Sequence, residues 1–285
     1  MFLQFVIVGI GIGFIYVLFA VGMVLIYRES RVVNFAHGGF AAVGAYLFTT
    51  VYSGGSRGYG TALTAAVLAC AALAWLSHRL VLRLVSEADQ LTSAMATLGV
   101  LTCTIAGILW VFGATPRAVP PGFGGDGLTF GSLVVTYHSL SIMVTGAVLC
   151  ALLGYIVQQT GIGRSLRAIS ENRTTAALLG IPVRRYDEVT WAIAGGLAGF
   201  AGVMVTPSTG VTATALVFLL VKGFAAALVG RFENLVLVVA GGLTIGVMES
   251  LVIWKFQQVD GLRELLTFAL IAAALLTRER ERVIA

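Results

Sequence analysis

The stretch that decides the fold is FLQFVIVGIGIGFIYVLFAVGMVLIY, residues 2–27, which contains no charged side chain. About 20 apolar residues are enough for a helix to cross a hydrocarbon core about 30 Å thick. A secretory signal peptide would need a basic start and an apolar core of only about 7–15 residues. Residues 1–4 carry no charge, and the apolar run continues until Arg28. The stretch therefore predicts a retained transmembrane helix.

Eight further apolar stretches follow, and the composition agrees with them. Charged residues make up 11% of the 285 and hydrophobic residues 58%, whereas soluble domains are about 25% charged. The further stretches are 38–53, 61–77, 91–113, 133–158, 189–206, 213–230, 235–254 and 261–277. The chain is predicted to be an all-α polytopic integral membrane protein, one domain over residues 1–285 with about eight or nine transmembrane helices. We expect some of the shorter stretches to be broken or re-entrant, which is tolerated where protein or water satisfies the backbone.

The distribution of lysine and arginine indicates the orientation, because these residues collect in cytoplasmic loops. We place the N-terminus outside and the C-terminus in the cytoplasm. The cytoplasmic segments are then 28–37, 78–90, 159–188, 231–234 and the tail from Arg278, and they hold 13 of the 18 basic residues. The outer segments hold only Arg57, Arg117 and Lys255. The net charge of +5 reflects this topology and does not indicate nucleic-acid binding.

Glycine is abundant, with 35 residues, and several glycines lie four positions apart. Such pairs let two helices approach closely in lipid. They are Gly9 and Gly13, Gly195 and Gly199, and Gly242 and Gly246. The pattern fits tight packing within one subunit, and it also fits a moving or inter-subunit surface.

The longest polar interval between the apolar stretches is residues 159–188, called the coupling segment below. Its apolar residues recur near the helical period, with charged residues elsewhere around the axis. The apolar set is Leu166, Ile169, Ala176 and Leu179, and the charged set is Arg164, Arg167, Glu171 and Arg173. Gly180 suits the left-handed position after a helix, and Pro182 prevents continuation. We predict one or two short amphipathic helices on the cytoplasmic face, which either rest on lipid headgroups or dock a soluble partner.

Two other groups of polar residues lie within or beside the apolar stretches. The segment from Asn34 to Gly39 includes His37 and Gly38 at the start of a short stretch, where an unwound turn could face a cavity or the His could be a hydrogen-bonded structural group. Lys222 and Glu249 each lie inside an apolar stretch, where a charge costs about 2.5–3.5 kcal/mol on insertion scales. An ion pair between them is one solution, and snorkelling of Lys222 to the inner surface is another.

Motifs for catalysis, nucleotide binding and metal binding are absent from the sequence. There is no G-x-x-x-x-G-K-[ST] phosphate loop, no H-E-x-x-H and no G-x-S-x-G, so no catalytic residues are predicted. The three cysteines, Cys70, Cys103 and Cys150, form no metal-ligand spacing. We therefore expect no enzyme activity, no metal and no cofactor in this chain.

Two segments together resemble the membrane permeases of ATP-binding-cassette importers for branched-chain amino acids and related solutes. Residues 9–46 are similar to the opening of that family, and residues 163–180 are similar to its cytoplasmic coupling motif. The matching positions are Asn34, His37, Gly38, Arg167, Glu171, Asn172, Arg173, Ala176, Leu179 and Gly180. The sequence departs from the family at Arg231-Phe232-Glu233, where the family more often has glycine and small residues.

The resemblance implies a bacterial cytoplasmic (inner) membrane protein that forms half of a solute pathway, with amino acids as the expected class of solute. Its partners would be a second, homologous permease, two cytoplasmic ATPase subunits that bind ATP with Mg, and an extracytoplasmic solute-binding protein. The ATPase-docking and coupling residues would be Arg164, Leu166, Arg167, Ile169, Glu171, Asn172, Arg173, Ala176, Leu179 and Gly180, with Leu166, Ile169, Ala176 and Leu179 as anchors. The candidates for pathway or gate are Asn34, His37, Gly38, Lys222 and Glu249.

Two alternative functions remain open from the sequence. A gradient-driven secondary transporter would show paired intramembrane acids, but only Glu249 lies deep in a stretch. A scaffold subunit would have no use for the patterned coupling segment. The solute itself is not readable, because similar permeases carry branched-chain and other amino acids, amides such as urea, and aromatic acids.

Overall fold

Eight of the nine predicted apolar stretches coincide with helices in the computed structural model. The structure describes residues 2–52, 55–85, 89–118, 127–130 and 133–256, together with 261–262, 265, 267–269 and 271–272. The helices are α1 Phe2–Ser30, α2 His37–Val51, α3 Gly55–Leu80, α4 Gln90–Phe112, α5 Tyr137–Gln159, α6 Gly161–Glu171, α7 Arg173–Leu178, α8 Val183–Thr209, α9 Ala213–Val229 and α10 Leu235–Lys255. The ninth stretch, 261–277, lies mostly outside the described residues.

Six of the described helices, α1, α3, α4, α5, α8 and α10, are long and apolar enough to cross a membrane. The helices α2 and α9 are shorter, at 15 and 17 residues. Helix α8 begins at Val183, six residues before the predicted stretch. The stretch was defined by hydrophobicity, and the first turns of α8 are too polar to be included in it. The chain is thus a largely helical polytopic membrane protein, as predicted.

The all-α expectation is wrong in one detail, a two-stranded antiparallel ribbon before α5. Strands β1 Gly127–Phe130 and β2 Leu133–Thr136 pair with Gly127 opposite Thr136. The predicted stretch 133–158 therefore begins as a strand, which fits its β-branched residues. Gln4 joins the ribbon to α1, since its side chain donates to the Val134 carbonyl at 2.6 Å and accepts from the Val134 N–H at 2.8 Å.

Helix α1 lies at the centre of the bundle, and glycines bring its neighbours close to it. A Cβ atom added at Gly246 of α10 would lie 2.4 Å from the Gly13 nitrogen and 2.5 Å from the Gly9 oxygen. In the same way, a Cβ added at Gly199 of α8 would lie 2.7 Å from Cys70 of α3. The glycine pairs of the sequence therefore pack helices within one chain, the first of the two interpretations above.

Helix α2 begins deep inside the bundle and not at its end. The ring of His37 meets that of Phe19 at 4.5 Å between centroids, beside Gly22 of α1. Gly22 lies eight residues before Ser30, or about 12 Å along the helix. Residues 31–36 therefore return about 12 Å into the bundle without helical structure. Their backbone is satisfied by side chains, because Thr97 accepts from the Phe35 N–H at 3.1 Å, as non-helical backbone in a membrane requires.

The segments assigned to opposite sides of the membrane lie at opposite ends of the bundle. At one end, Arg28 and Arg31 bond to Glu233. At the other end, Arg117 donates to Thr49 at 3.2 Å and pairs through its backbone with Val211.

The turn between α9 and α10 explains the departure at Arg231-Phe232-Glu233. Arg231 and Phe232 have φ angles of +54° and +57°, a left-handed conformation that glycine adopts without strain. The strained turn buries Phe232, whose ring packs against that of Tyr27 with 4.5 Å between centroids. The left-handed backbone explains why small residues suit this turn. In this chain, the buried packing of Phe232 offsets the strain of that backbone conformation.

We expect Arg231→Gly to raise the free energy of unfolding by about 0.5–1 kcal/mol, because it relieves a left-handed residue whose side chain is exposed. The thermal melting temperature of the detergent-purified chain measures this effect. Phe232→Gly serves as the control, since it relieves the same strain but loses buried aromatic packing and should lower the melting temperature. An unchanged or lower value for Arg231→Gly would contradict the prediction.

Candidate functional site

The coupling segment folds as two short helices, as predicted, and each helix begins at a capping residue. Thr160 caps α6 by accepting from the Gly163 N–H, and Asn172 caps α7 by accepting from the Thr175 N–H at 2.9 Å. Gly180 has a φ of +82°, and the Ile181 N–H donates to the Ala176 carbonyl at 3.1 Å. This arrangement is a Schellman C-cap, and it turns the chain back towards α8.

The apolar residues of the coupling segment divide into an inner and an outer set. Ile169 and Ala176 are each only 1% exposed, because they pack α6 and α7 onto the bundle. The prediction that these two anchor a soluble partner is therefore wrong in this conformation. Leu166 is half-buried, whereas Leu179 is exposed as docking requires. Its neighbour Leu178, at 83% exposure, was not predicted, although the run Ala-Ala-Leu-Leu before Gly180 signals it.

The other coupling residues lie on the outer surface of the segment, with one exception. Those with exposed side chains are Arg164, Arg167, Glu171 and Asn172. Arg173 instead points inward and bridges three helices, and we call Arg173, Glu29 and Asp187 the Arg173 bridge. Its guanidinium donates to Asp187 at 2.6 Å, to the Glu29 carboxylate at 3.4 Å and to the Glu29 carbonyl at 3.1 Å.

The Arg173 bridge joins α7 to the last turn of α1 and the first turns of α8. Glu29 and Asp187 are buried, so each depends on Arg173 to offset its desolvation. Burial alone would lower the pKa of the Arg173 guanidinium, but Asp187 and Glu29 raise it above its ordinary value. The guanidinium therefore stays charged, and it links α7 to two membrane-spanning helices.

Two cavities adjoin the coupling segment. The smaller, of about 60 Å³, adjoins the Arg173 bridge and is also lined by His78, Ser93 and Trp191, so the end of α3 and the start of α4 also lie at this end. The larger, of about 250 Å³, lies between α1 and α6. Its charged lining residues are Arg28, Arg31, Arg167, Glu171 and Glu233.

A second polar cluster lies halfway along α1, and we call Tyr16, Lys222 and Glu249 the central triad. The Lys222 ammonium lies 2.7 Å from one Glu249 oxygen, and the Tyr16 hydroxyl donates to the other at 2.5 Å. Lys222 also donates to the Tyr16 hydroxyl at 3.2 Å and lies 5.3 Å from the centroid of its ring. The ion pair that the sequence left open is therefore present.

The remaining pathway candidates are buried in packed protein. Asn34 and His37 have no exposed surface, and the Asn34 side chain accepts from the Ala36 N–H at 3.0 Å. A Cβ added at Gly38 would touch Leu220 and Val217 of α9. The unwound segment is present, but the structure favours a packing role for these residues over contact with a cavity. Among the described residues, no group of three or more potential metal ligands occurs.

Comparisons with known proteins agree on one family. The family model for the branched-chain amino acid transport system / permease component matches residues 5–275. The high-affinity branched-chain amino acid transport system permease protein LivH of Salmonella typhimurium is 27% identical over 264 residues, 88% of this chain and 85% of that protein. Its counterpart BraD of Pseudomonas aeruginosa is 25% identical over 97% of this chain and 94% of its own length.

The fold also resembles that of a solved complex. PsaBC from Streptococcus pneumoniae, in complex with Fab, aligns over 95% of this chain and 89% of that chain with a TM-score of 0.50. The sequence identity is 16%, so this likeness concerns the fold alone.

Proposed function

The chain belongs to the family of permease components of branched-chain amino acid transport systems, and from that premise we propose that it forms half of an ATP-driven import pathway for amino acids with branched apolar side chains. It is a multi-pass protein of the bacterial inner membrane and the permease subunit of an ATP-binding-cassette importer. The substrate class follows the names of its relatives LivH and BraD.

The observation that carries the proposal is the Arg173 bridge. An importer that receives its energy from separate ATPase subunits needs a rigid connection between the docking surface and the transmembrane helices. Arg173 supplies such a connection, since its guanidinium contacts the end of α1 and the start of α8 within 3.4 Å. A scaffold subunit would not require this connection.

The proposed partners are two cytoplasmic ATPase subunits, which bind ATP with Mg, a second permease and an extracytoplasmic binding protein. ATP-driven closure of the ATPases would press on Leu178 and Leu179, and α7 would pass the displacement through the Arg173 bridge to α1 and α8. The N-terminus would lie outside and the C-terminus in the cytoplasm. The concentration of Arg28, Arg31 and Arg167 around one cavity supports that orientation.

A gradient-driven carrier is the less favoured alternative. Such a carrier needs an intramembrane acid that can take up and release an ion. The Lys222 ammonium, 2.7 Å away, already neutralises Glu249 without a transported cation, and the Tyr16 hydroxyl donates a hydrogen bond to it at 2.5 Å. This arrangement supports an energy source outside the chain.

Co-expression with the ATPase, second-permease and binding-protein subunits of the same transport system tests the proposal. The purified complex, reconstituted in proteoliposomes, should take up leucine only with ATP, Mg and binding protein present. In the same vesicles, Arg164→Cys should react with an impermeant thiol reagent only from the ATPase side. Uptake that persists without ATP and follows an imposed ion gradient would overturn the proposal.

We expect Leu178→Asp together with Leu179→Asp to lower association with the ATPase subunits at least about tenfold, because the change places charge in an apolar contact. Co-purification of the tagged chain from detergent-solubilised membranes measures the association. Leu84→Asp is a matched control, since Leu84 is also 83% exposed and lies outside the coupling segment. Equal recovery of ATPase subunits with the double variant and with Leu84→Asp would contradict docking at α7.

A further inference from the structure

The central triad places two opposite charges where the membrane is most apolar. Tyr16 lies halfway along α1, whose 29 residues span about 43 Å. Ionisable residues at this depth are rare, and they commonly mark a substrate pathway. Transporter binding sites also lie near the bilayer midplane.

Packing does not explain why the charges are present. Glycines already hold the three helices together, since a Cβ added at Gly246 of α10 would overlap Gly13 of α1, and one added at Gly223 of α9 would lie 2.5 Å from Phe19. A buried ion pair is often neutral or unfavourable for stability compared with apolar residues of the same size. Lys222 and Glu249 therefore have a role other than joining these helices.

The side chains of Lys222 and Glu249 differ in their exposure. The Glu249 side chain is 5% exposed and the Lys222 side chain 17%. Lys222 lies one helical turn after Phe218, and positions four apart share a helix face. Phe218 is 58% exposed, so the described part of the chain leaves this face of α9 uncovered, and the Lys222 ammonium can be reached from it.

We propose that Lys222 and Glu249 bind the two charged ends of a zwitterionic amino acid as it passes the middle of the membrane. The inference rests on the proposed function and names the groups that recognise the solute. The Lys222 ammonium takes the solute carboxylate, and the Glu249 carboxylate takes the solute ammonium. The Tyr16 hydroxyl remains bonded to Glu249 during the exchange and holds that carboxylate in place.

The charges balance before, during and after this exchange. The closed pair is neutral, the zwitterion is neutral, and the occupied site contains two ion pairs with no net charge. An acid or amine that carries one charge would leave either Glu249 or Lys222 without a partner in a region of low dielectric, which is costly. The site therefore favours zwitterions over singly charged analogues without contacting the apolar side chain.

The double variant Lys222→Met with Glu249→Gln separates recognition from folding. It removes both charges together, so no unpaired charge remains and the chain should still co-purify with its partners. Leucine uptake by reconstituted complex should fall about tenfold or more, because two charge-assisted hydrogen bonds to the solute are lost. Uptake at the wild-type rate would overturn the inference and leave the pair a structural contact.

A labelling experiment tests whether the α9 face meets water. Phe218→Cys on α9 and Val148→Cys on α5 are a matched pair, since both positions are 58% exposed in the chain. With Cys103 and Cys150 replaced by serine, Phe218→Cys in the assembled complex should react with a charged thiol reagent faster than Val148→Cys. Millimolar leucine should slow that reaction.

The labelling result can fail separately from the proposed function. Suppose that Phe218→Cys does not react with the thiol reagent although the complex still imports leucine with ATP. This result would overturn the pathway assignment of α9 and leave the proposed function standing. A wild-type complex that does not import amino acids with ATP would instead contradict the proposed function itself.

Discussion

Arg173→Ala should strongly lower ATP-driven uptake while the chain still inserts in the membrane. The substitution removes every contact that joins α7 to Glu29 and Asp187, so movement of the docked ATPases no longer reaches α1 and α8. We expect uptake to fall at least about tenfold, the scale of a coupling free energy of 1–3 kcal/mol. Uptake and ATP hydrolysis, measured together in proteoliposomes, should become uncoupled.

The same substitution should also lower stability, and a second variant separates the two effects. Two buried carboxylates lose their cation, which costs about 2 kcal/mol, less than the roughly 3–5 kcal/mol of a fully buried pair because the Arg173 side chain is 40% exposed. Adding Glu29→Gln and Asp187→Asn to Arg173→Ala replaces both buried acids with neutral amides and should restore the melting temperature. If uptake returns with stability, Arg173 is a structural residue and the coupling role is wrong.

Gly246→Ala should strongly lower the stability of the chain, because it adds a methyl group where α10 touches the backbone of α1. Its Cβ would lie 2.4 Å from the Gly13 nitrogen and 2.5 Å from both the Gly13 Cα and the Gly9 oxygen. All three are backbone atoms, so no rotamer change relieves the overlap and α1 must separate from α10. We expect a loss of about 3 kcal/mol or more, measured as a lower melting temperature and reduced abundance in membranes.

Gly107→Ala is the matched control for that experiment. Gly107 also lies within a helix, α4, but a Cβ there would meet nothing within 4 Å. Replacing glycine by alanine in an open helical position should stabilise the helix by up to about 1 kcal/mol. Similar melting temperatures for Gly107→Ala and Gly246→Ala would contradict the close packing of α1 on α10.

The sequence was sufficient for the class of protein, for most helix positions and for the C-terminal cap of the coupling segment at Gly180. Transfer of a helix into lipid depends on the sum of its own residues, so the apolar stretch 2–27 indicates a membrane helix without knowledge of its neighbours. Caps are local in the same way. The left-handed conformation of Gly180 follows from a helix that must end before Pro182.

Only the tertiary structure decided which polar residues meet. Arg173 reaches Glu29, 144 positions away, and Tyr16 reaches Glu249, 233 positions away. Helix period shows that a residue shares a face with others, but it does not show which neighbour that face contacts. For this reason Ile169 and Ala176 were assigned to a partner, whereas they pack against the bundle.

The return of residues 31–36 into the bundle also required the tertiary structure. The sequence has Asn34 in this segment and His37, Gly38 and Gly39 directly after it. This composition is compatible with a turn at the surface or with a buried turn. In the structure His37 lies beside Phe19, and Thr97 of another helix accepts a hydrogen bond from the Phe35 N–H. The sequence alone thus determined which segments enter the membrane, because the free energy of transferring a helix into lipid depends on its own residues. Packing between distant helices determined which charges and backbone groups are paired, because each pair needs two segments in register.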